Sequence, residues 1–240
     1  IEGLLAPLVT IREVAHVPSA FPVFVNRDDY YLRCSPGLFP DALMPFFGTA
    51  KIIYDQWRSL WVEFAVPRDA AAGVFPMEVI LSNPDNRNEV YASRILEIEI
   101  IDAVLPEQTL IHTEWFHCDC LAVYYNVPVF GEEHWKLMKN YIKNAVRYGA
   151  NMLLTPVFTP PLDTEIGGGY TFGFQRLKRY LELAKACGMQ YFEISHLFTQ
   201  WGAKHAPKII ASENGEQKQI FGWKTAAESP DYISFLNRFL

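Results

Sequence analysis

The sequence predicts a multidomain β plus α/β chain, with an N-terminal antiparallel β-sandwich followed by the first part of a TIM-type (β/α) barrel. Three observations predict it. Apolar residues alternate with period two up to about Leu105, with no competing helical period. From Thr109 onward, short apolar strands alternate with segments of helical period. Pro106 stands between the two patterns, so the expected domains are 1–105 for the sandwich and 106–240 for the N-terminal portion of the barrel.

In the first region, Leu60, Val62, Phe64 and Val66 share one face of a half-buried strand. Phe75, Met77, Val79 and Leu81 repeat the pattern, and Pro76 points to an edge position. After the turn cluster at 83–88, Leu96, Ile98 and Ile100 face inward while Glu97 and Glu99 face out. The segment Arg33 to Asp41 reads as a loop fixed by two prolines and a glycine.

In the second region, Leu110 to Trp115 reads as a strand. Glu132 to Tyr148 follows as a helix with Trp135, Met138, Ile142 and Ala145 on one stripe, and Gly149 closes it. Asn151 to Thr155 is a short buried strand, Phe174 to Cys187 a second helix closed by Gly188, and Gln190 to Ile194 a third strand. Ser229-Pro230 is an N-cap and first-turn pair that opens a last helix burying Tyr232, Phe235, Leu236, Phe239 and Leu240. Three β/α units are visible, where a closed barrel takes eight in about 250 residues. The last helix also stops in mid-stripe, so the barrel is expected to be incomplete; a compact three-unit α/β domain is the alternative.

Composition narrows the function. Net charge is −6, which argues against nucleic acid and against an anionic membrane surface. No apolar stretch approaches the roughly 20 residues that span a bilayer. Cys34, Cys118, Cys120 and Cys187 form no disulfide framework and read as reduced core thiols, which favours the cytoplasm. The first residue is Ile1, so a removed signal peptide stays open.

Barrel active sites sit on the loops after the carboxyl ends of strands. Here those loops are 115–120, 155–164 and 193–202, and they mix aromatic rings with carboxylates, imidazoles and amides. A sugar asks for that mixture: a flat apolar ring for its C–H face and polar groups for its hydroxyls. Trp115 and Phe116 are either ligand platforms or core residues. His117 and Asp119 lie two apart and share a face if extended, as a metal pair, an ion pair or a capping contact. Cys118 and Cys120 lack the spacing of a zinc knuckle, so no metal and no cofactor is expected. Asp163 faces a ligand or caps a turn. Glu193, at a strand end, is the best candidate acid or hydroxyl-binding carboxylate, with His196, Gln200 and Trp201 beside it on the same loop. Gly167-Gly168-Gly169 follows no expected strand and opens no phosphate loop, and no Gly-x-Ser-x-Gly elbow occurs.

At these loops the sequence resembles bacterial proteins related to family 123 glycoside hydrolases. Glu114-Trp115-Phe116-His117, the stretch from Leu153 to Thr164, and the stretch from Glu193 to Ala203 carry the resemblance. So do Ala206-Pro207-Lys208-Ile209 and Phe221-Gly222-Trp223, which adds Trp223 to the substrate-binding candidates, and Ser35 to Asp41 in the first domain. The resemblance implies a sandwich followed by a (β/α)8 barrel that hydrolyses β-linked N-acetylhexosaminides, retaining and substrate-assisted, through an Asp-Glu pair. No Asp-Glu dipeptide occurs in the 240 residues, so the pair is expected outside this chain. The family also carries a longer polar insertion where this chain has only Gly167 to Gly169 before Tyr170. A non-catalytic carbohydrate-binding protein is the rival reading, and a metal-dependent hydrolase using His117, Asp119 and His196 is a third.

Overall fold

In the computed structural model, residues 1–31, 33–158, 163–167, 169–199 and 202–240 are described, and they fall into two compact units, Ile1–Pro106 and Glu107–Leu240. The first unit is built from antiparallel strands. Strands β1 (Val9–Ser19), β2 (Gly37–Pro45) and β3 (Leu60–Phe64) form one sheet in the order β2-β1-β3. Strands β4 (Gly73–Ser82) and β5 (Val90–Ile100) form a separate hairpin, which Glu2 joins through a bridge to Glu78.

Two expectations for this unit change. The stretch Arg33 to Asp41 is not all loop, because from Gly37 it pairs with β1, Pro40 opposite His16 and Pro45 opposite Arg12. Prolines are tolerated there since β2 is an edge strand, where an absent N–H interrupts no inner ladder. The apolar faces alternate as read, but they are only partly covered. Met77 is fully buried and Phe75 and Val79 partly, while Leu96 on the partner strand remains 43% exposed. A two-stranded ribbon gives its apolar face little facing surface along its length.

The second unit mixes helices with parallel and antiparallel pairs. Helix α1 (Cys118–Tyr125) precedes α2 (Glu132–Arg147), and strand β6 (Met152–Thr155) follows. A hairpin of β7 (Asp163–Ile166) and β8 (Tyr170–Gly173) leads into α3 (Gln175–Ala186) and β9 (Tyr191–Ile194). A second hairpin, β10 (Ile209–Glu213) and β11 (Glu216–Phe221), leads to α4 (Pro230–Phe239). Strand β6 pairs in parallel with β9, with Leu154 opposite Glu193. Both α2 and α3 end in a reversed turn through Gly149 and Gly188: the N–H after each glycine bonds back to the carbonyls of Ala145 and Ala184.

One core packs Leu121 of α1, Trp135, Met138 and Ile142 of α2, and Tyr180 and Ala184 of α3 against Leu153 of β6. The other packs Tyr232, Phe235 and Leu236 of α4 against Ile209 of β10, Phe221 of β11, Val157 and Phe158. The Ser229 hydroxyl accepts from the Tyr232 N–H at 3.4 Å, as the cap-and-proline pair predicts.

Leu110 to Trp115 is not a full strand. It makes a single parallel bridge, Thr113 to Met152. The adjoining rungs are taken by the Asn151 side chain, whose oxygen accepts from the His112 N–H at 2.8 Å and whose amide donates to the Leu110 carbonyl at 3.0 Å. The chain is held beside β6 by this side chain together with the Asn151 and Met152 N–H groups, both of which donate to the His112 carbonyl at 3.1 Å. Gly167 does follow a strand, contrary to the sequence reading: it comes directly after β7, whose Ile166 stands opposite Tyr170 of β8, and its N–H bonds to the Gly169 carbonyl at 3.2 Å. The core reading of the thiols fails for Cys120, which is exposed, while Cys118 is buried and all four cysteines are free.

Candidate functional site

The parallel β6–β9 pair, with Thr113 bridged to β6, places three successive segments side by side and pointing the same way. Their carboxyl ends therefore gather in one place. Two residues beyond the bridge, Trp115 turns its indole toward Glu193, and Nε1 donates to Oε2 at 3.3 Å. The same indole meets the His196 ring edge to face at 5.4 Å. Trp115, Glu193 and His196, three of the candidates from sequence, thus form one cluster.

Its scaffold follows from alternation along the strands. Leu153 and Phe192 pack into the helix-covered core, so their neighbours Leu154 and Glu193 project from the other face. The loops after the strands are tied together. The Ser195 N–H donates to the Thr155 carbonyl at 3.0 Å, and the Ser195 hydroxyl accepts from the Val157 N–H at 3.3 Å. Trp115 is 48% exposed and Glu193 half-buried, so both side chains reach solvent. Among the described residues, Oε1 of Glu193 has no hydrogen-bond partner. Chemically, this is an aromatic plate with an acceptor and an imidazole at its edge.

The other candidates stand elsewhere or have other partners. His117 is the N-cap of α1 and Asp119 lies in its first helical turn, so the two do not share the face of an extended segment. Both are exposed, and among the described residues no hydrogen bond or ion pair joins them. The same helical turn sends Cys118 inward, where burial pushes its thiol up to about 12, and Cys120 outward. Among the described residues no group of three His, Cys, Asp or Glu gathers as metal ligands would. Asp163 forms an ion pair with Arg176 of α3, which anchors the start of the β7–β8 hairpin. Gln200 and Trp201 lie outside the described residues.

Trp223 is 71% exposed on a tight turn after β11, where it lines a groove with Lys208, Gln219, Phe221, Lys224 and Thr225. Sequence reasoning missed the two lysines. Isolated lysines carry no signal until the β10–β11 hairpin folds Lys208 back beside the turn. It also missed His112, whose Nε2 meets Glu114 at 3.0 Å and whose Nδ1 meets the Gly149 carbonyl at 3.2 Å. The bond to Glu114 chiefly, with that carbonyl, holds this imidazole above its ordinary range. No helix among the described residues is long and apolar enough to cross a membrane.

Residues 115–240 match the family model described as Glycoside hydrolase 123, catalytic domain. No curated protein matches the chain. The matched stretch begins at Trp115 and contains Glu193, His196 and the Trp223 turn.

Proposed function

Because this chain belongs to the family of glycoside hydrolase 123 catalytic domains, we propose that it is a retaining, substrate-assisted hydrolase of β-linked N-acetylhexosaminides. One observation carries the site: Trp115, Glu193 and His196 meet at the carboxyl ends of adjacent parallel strands. That is where (β/α) barrels hold substrate, and the parallel β6–β9 pair with α3 between its strands supports reading 106–240 as the opening of such a barrel. The antiparallel sheets of the first unit support a sandwich over 1–105.

In this reading the Trp115 indole stacks on the apolar face of the sugar, and Glu193 accepts a sugar hydroxyl through Oε1. His196, braced by the indole edge, supplies a second polar contact. His117 and Asp119, on the segment after Trp115, serve as further contacts, and Gln200 and Trp201, which lie outside the described residues, follow His196 in the sequence as candidates for the same role. Asp163 acts by positioning, since its carboxylate is engaged by Arg176. The bond-breaking step is a nucleophilic attack by the acetamido oxygen of the substrate on the anomeric carbon, with proton transfer to the leaving oxygen. That proton comes from an Asp-Glu pair, and none of the 240 residues is assigned to it, because no Asp-Glu dipeptide occurs among them. The protein needs no cofactor for this chemistry.

A second reading is a carbohydrate-binding protein without turnover, which the Trp115, Glu193 and His196 cluster would serve equally well. Release of the aryl group from aryl β-N-acetylhexosaminides by the full-length protein separates the two. Turnover supports the hydrolase. Saccharide binding with complete inactivity across amino sugars and plain glycosides supports the binder.

A further inference from the structure

The groove beside Trp223 has a cavity volume of about 510 Å³, within the range of about 300–1,000 Å³ in which small molecules are held. Its charge is unlike that of the rest of the chain. The protein carries a net −6, yet Lys208 and Lys224 both line this groove. Among the described residues neither pairs with a carboxylate. Lys218 on the same hairpin is instead held by Glu213 at 2.8 Å. Two lysines without a carboxylate partner among the described residues, on the lining of one groove, make a local site for an anion on a chain of net negative charge.

The wall that carries Trp223 is rigid. The Gly222 N–H donates to the Thr225 hydroxyl at 3.4 Å and the Thr225 N–H returns a bond to the Gly222 carbonyl at 2.8 Å. The Ala206 N–H fastens the Thr225 carbonyl at 3.0 Å, and Ala227 bonds to Lys204 on the same incoming segment. Beneath the turn, Phe221 is buried against Tyr232 and Phe235. A large apolar indole is therefore presented to solvent on a braced turn, at small entropic cost to a ligand that covers it.

We propose that this groove is a subsite for an acidic sugar, a pyranose bearing a carboxylate or a sulfate. Its ring stacks on Trp223 and its anionic group lies between Lys208 and Lys224. The choice of a sugar as the ring rests on the carbohydrate reading above; the choice of a negative charge rests on the two lysines alone.

Calorimetric titration of the protein at low salt tests this, with a sulfated N-acetylhexosamine, glucuronic acid, the neutral N-acetylhexosamine and inorganic sulfate as probes. The acidic sugars are expected to bind at least tenfold more tightly than the neutral one. The Lys208→Gln, Lys224→Gln double variant should erase that difference and leave turnover of a neutral aryl β-N-acetylhexosaminide unchanged. A Trp223→Leu variant should lose the added affinity of the acidic sugars over the neutral one while retaining any affinity for inorganic sulfate. The sulfate and carboxylate arms separate the two kinds of acidic sugar, and preference for either supports the subsite. Equal binding of charged and neutral sugars overturns it, as does inorganic sulfate matching the sulfated sugar. Lysine-dependent binding in a protein that hydrolyses no glycoside would support the groove and overturn the hydrolase reading alone.

Discussion

The indole Nε1 of Trp115 donates to Oε2 of Glu193 across 78 positions of sequence, at 3.3 Å. The bond fixes the carboxylate beside the aromatic plate, and among the described residues Oε1 has no hydrogen-bond partner. Trp115→Phe keeps a ring and deletes the donor. A hydrogen bond to a charged group is worth about 1.5–3 kcal/mol when shielded, and less at a half-open site. We expect kcat/KM on an aryl β-N-acetylhexosaminide to fall about tenfold, the equivalent of about 1.4 kcal/mol. Thermal stability should barely change. Glu193→Gln should cost more in kcat/KM, because an amide replaces the acceptor. Unchanged kinetics in both variants would remove this pair from the site.

His112 gives a pH prediction. Its two ring nitrogens meet a carboxylate and a carbonyl, both acceptors, so the protonated ring is the better-satisfied form. Its folded pKa is raised above the usual 6.5, chiefly by the bond to Glu114. The contribution to stability is therefore complete below 6.5 and is lost as pH rises through the raised value. Glu114→Gln should shift the His112 titration down, read by NMR of the ring protons, and flatten that part of the stability profile. An unmoved titration would show that Glu114 does not hold the ring.

Much of this arrangement is legible in the sequence. The stripe Trp135, Met138, Ile142 and the closing Gly149 give a helix that the structure places at Glu132–Arg147, and Ser229-Pro230 marks the start of α4 to the residue. Strand–helix order likewise brings Glu193 to a strand end. What was missed depends on pairing at a distance. Gly37 to Pro45 looks like a proline loop until β1 makes it an edge strand. Asn151 replaces a ladder rung, which no periodicity records. The β10–β11 hairpin did carry a local signal. Asn214 and Gly215, at φ of 53° and 85°, form the two-residue turn that Asn-Gly favours between strands. The unbroken polar run from Glu216 to Gln219 hides the strand after the turn.

His134 is fully buried with both nitrogens in use. Nδ1 accepts from the Phe130 N–H at 2.9 Å, so Nε2 carries the proton and donates to the Cys118 carbonyl at 2.7 Å. The ring thereby ties α2 to the start of α1 and to the turn between them. His134→Ala leaves both backbone groups buried without partners and opens a cavity. We expect a loss of about 2–4 kcal/mol in urea unfolding. His134→Gln, able to reach one partner, should lose less. Equal losses would show that volume, and not the two bonds, sets the cost.

Gly149 and Gly188 close their helices in the same way, with φ of +94° and +108°, but differ in what surrounds them. A Cβ at Gly149 would meet only the Gln108 side chain at 3.5 Å, an ordinary contact. At Gly188 it would approach Cγ1 of Val146 at 3.0 Å, and Val146 packs against the core of α2 and α3. Alanine at either site pays the left-handed backbone penalty of about 1–2 kcal/mol. Only Gly188→Ala must also displace a packed side chain. Urea unfolding should therefore rank Gly188→Ala below Gly149→Ala in stability, and Val146→Ala should narrow the gap when combined with Gly188→Ala. If the two glycine variants lose the same amount, Val146 yields freely and the backbone term alone governs both helix ends.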